Sequence, residues 1–116
     1  MKLPWWFPFG AVPELPARRL AVDLDAVPPP QILDVRTAGE FRRGRIRGAV
    51  SVPIAALPER LASLGLDRSR PVVAICLTAH RSIPAVRLLR EAGYDAFQLA
   101  GGMLAWRAAG FPEERG

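Results

Sequence analysis

Val72-Val73-Ala74-Ile75-Cys76-Leu77-Thr78-Ala79-His80-Arg81-Ser82-Ile83-Pro84 decides the fold. Four apolar residues rich in β-branched side chains read as a short strand buried on both faces. The polar turn that follows runs into a helical pattern carrying Val86 and Leu89. A buried parallel strand ending in a loop that opens a helix puts Cys76 at the carboxyl edge of a sheet, where open α/β folds bind ligands. Pro84 fits the first helical turn, where a missing N–H costs nothing, so the helix is predicted to start at Arg81 or Ser82.

Such a position suits a thiolate. Helix N-termini and concave loops of N–H groups favour negative charge, and a neighbouring Arg or His adds to the effect. The plainer alternative is a buried cysteine used as a small hydrophobe. Thr78, His80 and Arg81 argue against it, because a core cysteine needs none of them.

Four blocks in order extend the pattern. They are Leu33-Asp34-Val35-Arg36 followed by Glu40-Phe41, then Gly44-Arg45-Ile46-Arg47-Gly48-Ala49, the loop from Cys76 to Ser82, and Gly101-Gly102-Met103-Leu104-Ala105-Trp106. From about Ile32 to Pro112 the chain resembles the rhodanese-like sulfurtransferase domain. The resemblance implies a catalytic cysteine, matched by Cys76, that takes sulfur as a persulfide and passes it to a thiophilic acceptor. It implies that Leu77, Thr78, Ala79, His80, Arg81 and Ser82 form the cradle and that Asp34 and Arg36 brace the loop; a local ion pair is the plainer reading of those two. Arg81 would supply a fixed positive charge, Thr78 a hydroxyl and His80 a hydrogen bond to an anionic donor. Trp106 falls on the family's tryptophan as a packing residue. Arg45 and Arg47 stand where many members have histidine and proline. Ala79 stands where many have glycine; if the position needs φ > 0, alanine costs about 1–2 kcal/mol.

The loop is Cys-x4-Arg. Phosphatases and arsenate reductases of related fold or chemistry use one residue more, to hold a tetrahedral oxyanion, so phosphatase or arsenate-reductase-like activity is the least favoured reading. The favoured one is transfer of sulfane sulfur from a donor such as thiosulfate to cyanide, a thiol or a protein. A non-catalytic rhodanese-like binding or persulfide-relay module is the alternative.

Composition sets the bounds. With 116 residues, half of them hydrophobic, and no apolar run long enough to span a bilayer, the expectation is a single soluble domain, cytoplasmic in location. One cysteine excludes an intramolecular disulfide, a CxxC pair and a cysteine-based zinc site; one histidine removes most other metal sites, and no cofactor is expected. The formal charge of +5 suits a small anionic sulfur donor, and without an arginine-rich helix face interleaved with aromatics, nucleic acid is not an expected partner.

The rest of the chain is punctuated by proline and glycine. Residues 1–11 read as an aromatic N-terminal arm ahead of a domain over 12–116. The arm's residues 1–10 either pack back on the domain or make a protein or membrane-surface contact through Trp5 and Trp6. Val12 to Leu15 reads as an edge strand, Pro16 as a helix start, and Gln31 to Val35 as a second buried strand. Thr37-x-x-Glu40 is a capping box. Ala49 to Val52 and Ala96 to Leu99 read as strands, Leu57 to Leu64 as one amphipathic helix, and Met103 to Ala109 as a final helix. The fold class is therefore α/β, rhodanese-like: a central parallel sheet of about five short strands with helices on both faces.

Overall fold

The computed structural model describes residues 4–116. The first three residues of the expected arm lie outside the described residues. In chain order the elements are β1 (Glu14–Leu15), α1 (Ala17–Asp23), β2 (Gln31–Asp34), α2 (Ala38–Arg43), β3 (Val50–Ser51), α3 (Leu57–Arg60), β4 (Val72–Ile75), α4 (Ser82–Glu91), β5 (Ala96–Leu99) and α5 (Gly102–Ala108).

Alternation along β4 sets the layers. All four of its residues are buried, and it is hydrogen-bonded in parallel to β2 on one side and β5 on the other, in the sheet order β1-β5-β4-β2-β3. Every pairing is parallel, as strands joined by helical crossovers require. Val72 and Ala74 pack on one face with Leu57, Ala85, Val86 and Leu89. Val73 and Ile75 pack on the other with Leu20, Met103 and Trp106. Cys76 keeps the phase of Val72 and Ala74 and so faces α4. That helix buries Ser82, Ala85, Val86 and Leu89, the i, i+3, i+4, i+7 face of a 3.6-residue repeat.

The structure departs from the sequence expectations at the sheet edges. The first strand is only Glu14–Leu15, because Pro13 has no N–H to give; its carbonyl accepts from the Gln98 N–H instead. The third shrinks to Val50–Ser51 between Gly48 and Pro53. Leu57 to Leu64 is not one helix: a single α turn is flanked by 3₁₀ turns at Ile54–Ala56 and Leu61–Leu64. Three-residue turns rise more steeply than α turns, so the segment spans its length in fewer residues and stops at Gly65, φ +66°.

The tail is anchored. Trp106 is buried, donates Nε1–H to the Pro112 carbonyl at 2.9 Å and stacks at a tilt on Phe111. Arg45 and Glu114 exchange backbone hydrogen bonds beyond it. The arm folds back on α4, where Arg87 donates to the carbonyls of Trp5, Phe7 and Phe9 at 3.1, 2.6 and 2.6 Å and lies 4.0 Å over the Phe9 ring. Trp5 and Trp6 still expose 41% and 55% of their surface, so the arm is fixed without being core. No helix among the described residues is long and apolar enough to cross a membrane.

Candidate active site

Cys76 follows β4 directly, and the chain turns through Leu77–Arg81 before α4 begins at Ser82. The sulfur is buried in the mouth of this loop and accepts the Ala79 N–H at 3.0 Å. Among the described residues, the N–H groups of Leu77, Thr78 and His80 have no protein acceptor, which leaves them free to meet a ligand. Its carbonyls are claimed from behind: Met103 N–H donates to Cys76 O at 2.8 Å and Leu104 N–H to Leu77 O at 3.1 Å. The first turn of α5 thereby loses two orphan donors and the loop gains a fixed shape. Gly102 makes this contact possible. It sits at φ +61°, and a Cβ there would run into the carbonyl oxygens of Cys76 and Leu77.

Ala79 has φ +75°, the one non-glycine residue with positive φ among the described residues. This left-handed conformation lets its N–H turn inward, at a cost to alanine of about 1–2 kcal/mol. Ala79→Gly relieves that cost but loosens the unfolded chain by about 0.4–1 kcal/mol. The expected net gain is about 0.5–1 kcal/mol, read as a melting temperature higher by about 2–5 °C. A lower one would show that the loop does not require this conformation.

Two polar chains hold the loop. Ser82 Oγ lies 3.4 Å from Cys76 Sγ and donates to Gln98 Oε1 at 2.6 Å, and Gln98 Nε2 donates to the Glu14 carboxylate at 2.8 Å. A carboxylate only accepts, so the amide turns its NH2 to Glu14 and its oxygen to Ser82. The Ser82 hydrogen is thereby directed to Gln98, leaving a lone pair toward the sulfur. In the second chain Arg81 makes a two-pronged bond to Glu40 at 2.6 and 2.9 Å. Glu40 also closes the capping box: Thr37 N–H donates to it at 3.0 Å while its own N–H donates to Thr37 Oγ1 at 3.2 Å.

The Arg81 bond, helped by Thr37 and opposed by partial burial, holds the Glu40 carboxyl down at about 2. The same bond raises Arg81, and nearby Cys76 and Asp34 add to that. A depressed carboxyl stabilises the fold above its ordinary value, and this contribution fades as pH falls. The linked stability is therefore complete above pH ~4.5 and lost toward pH ~2. In Glu40→Gln this part of the acid dependence should vanish from melting temperatures measured across the window; an unchanged acid slope would show that the pair does not couple to folding.

Asp34 and Arg36 are both buried and bonded to each other at 2.7 Å, and Arg36 also donates to the Gly44 carbonyl at 2.7 Å. Neither side chain hydrogen-bonds to residues 76–82. They fasten the end of β2 to the turn after α2, the helix that carries Glu40. Thr78 Oγ1 and His80 Nδ1 lie 2.9 Å apart at the exposed rim. Leu77 packs back against the Leu20–Trp106 cluster. Arg45 and Arg47 spend their charge away from the loop, on Gly116 O and Asp25.

Beside the loop lies a cavity of about 460 Å³, walled by Trp5, Trp6 and Pro8 of the arm, by Ile54 and Ala55, and by His80 and Arg81. Sequence reasoning missed the arm as a wall, Arg81 as Glu40's partner, and Gln98 and Glu14. Gln98 had a signal, being the one polar residue in the apolar run Ala96–Leu99.

The Rhodanese-like domain family model matches residues 18–109. The chain belongs to the rhodanese-like family. Its rhodanese-like domain is 44% identical over 87 residues to an HTH-type transcriptional regulator of Mycobacterium tuberculosis, covering 73% of this chain but 38% of that protein. It is 34% identical over 80 residues to the thiosulfate sulfurtransferase GlpE of Shewanella oneidensis, covering 68% of this chain and 77% of that one. The solution structure of the rhodanese-like domain of an Anabaena protein superposes with a TM-score of 0.79 at 36% identity, over 90% of this chain and 80% of that one. Cys76 and its loop fall inside the matched rhodanese-like region. The arm, residues 4–10, falls outside it.

Proposed function

We propose that the domain transfers sulfane sulfur through a Cys76 persulfide, with thiosulfate as a competent donor. The observation that carries this reading is the Ala79 N–H pointing at a cysteine sulfur in a loop lined with further unused donors. The Cys76 thiolate attacks the outer sulfur of thiosulfate; the new S–S bond forms as the old one breaks, and sulfite leaves with the electron pair. Loop N–H groups receive the negative outer sulfur, a stabilisation already assembled before the reaction. Cyanide or a thiolate then attacks that sulfur, and Cys76 leaves as thiolate. Each half-reaction balances without a cofactor.

Arg81 holds the loop through its two-pronged bond to Glu40. Its two-pronged commitment to Glu40 also weighs against phosphatase or arsenate-reductase chemistry, which needs an arginine fork for the oxyanion. We place the reaction in the cytoplasm, where thiol acceptors abound. Mass spectrometry of the intact chain after thiosulfate tests the proposal: one added sulfur, removed by cyanide with release of thiocyanate, is expected. A chain unchanged in mass would favour a binding module instead.

A further inference from the structure

We infer that the aromatic arm and the loop together form the binding site for an organic thiol acceptor whose sulfur carries an apolar body of aromatic size. This rests on the sulfurtransferase reading above. The cavity of about 460 Å³ is of small-molecule size and far larger than cyanide or thiosulfate needs. Its walls are indole, proline and aliphatic carbon, with polar groups only at the loop end, on His80 and Arg81. Arg81 is already neutralised by Glu40, so the cavity gives little to a doubly charged donor and much to an apolar body. The arm lies outside residues 18–109, which the family model matches. Arg87 fixes it in place, with three carbonyls and the Phe9 ring gathered on one guanidinium. Aromatic surface held open against His80 and Arg81, two residues of the loop that carries Cys76, is a preorganised site rather than a loose tail.

An acceptor bound there loses its proton to solvent, and its sulfur attacks the outer sulfur of the Cys76 persulfide. One S–S bond forms and one breaks; Cys76 leaves as thiolate and the acceptor departs as an organic persulfide, with no net oxidation. The test uses the full chain, loaded with thiosulfate and freed of excess, with benzenethiol and cyanide as alternative acceptors and persulfide decay followed by mass. Trp6→Ala and Arg87→Ala are each expected to lower kcat/KM for benzenethiol about tenfold, the equivalent of about 1.4 kcal/mol. Arg87→Ala should leave the cyanide reaction within about twofold, since the Arg87 side chain hydrogen-bonds to the arm and to no residue of the loop. Thioanisole, which cannot react, should quench tryptophan fluorescence saturably in wild type, and in Trp6→Ala, where Trp5 still walls the cavity, only at about tenfold higher concentration.

An unchanged benzenethiol-to-cyanide ratio in both variants overturns the inference. So does quenching by phosphatidylcholine vesicles in place of thioanisole, which would make the arm an interfacial anchor. If no persulfide ever forms but thioanisole still quenches, the reaction falls while the pocket stands.

Discussion

Cys76→Ser is expected to gain no sulfur from thiosulfate and to form thiocyanate no faster than the uncatalysed reaction, a loss of at least about a thousandfold. Two reasons converge. A serine hydroxyl is not ionised in water near neutrality and cannot hold sulfur as a persulfide. No second thiol exists in the chain to take over, because Cys76 is the only cysteine. The fold should survive, since the partners of Sγ, the Ala79 N–H and the Ser82 hydroxyl, suit an oxygen equally well. A melting temperature within a few degrees of wild type would therefore accompany the lost activity. Sulfur transfer persisting in the variant would sink the proposed mechanism.

Gly102→Ala should be nearly as damaging, by a different route. A methyl group there meets the carbonyls of Cys76 and Leu77, and the backbone is left-handed besides. The conformation costs alanine about 1–2 kcal/mol, and each of the two hydrogen bonds from α5 to the loop is worth about 0.5–1.5 kcal/mol. Moving α5 away forfeits both, for a total of about 2–5 kcal/mol, a large share of the about 5–15 kcal/mol that holds a domain together. Denaturant unfolding measures the loss. Where the variant still folds, its persulfide yield should fall, because the carbonyls that α5 held turn back toward the sulfur. A stable variant with full yield would show that α5 does not shape the loop.

Much of this was legible in the chain. Val72–Ile75 reads as a doubly buried strand from its β-branched residues, and the helical stripe of Ile83, Val86 and Leu89 reads as core. Capping at Thr37 and Glu40 was equally local, hence readable. What stayed hidden was non-local. Glu40 meets Arg81 from 41 positions away and Gln98 meets Glu14 from 84, and nothing in the spacing of a single sequence encodes either distance. The split of Leu57–Leu64 was hidden for another reason: leucine spacing alone does not separate an α turn from a 3₁₀ turn of the same few residues. The arm was ambiguous because its aromatics suit several surfaces equally, and only the fold brings Arg87 beneath it.

The place of β4 in the sheet has a kinetic side. A central strand, laddered on both edges and buried on both faces, exchanges its amide hydrogens only when most of the domain opens, whereas the two-residue β1 opens locally at small cost. The nucleophile thus hangs from the last part of the protein to breathe. A sulfur loaded on Cys76 stays cradled through the frequent openings at the periphery, so it leaves by reaction at the mouth of the loop and not by collapse of the strand that carries it.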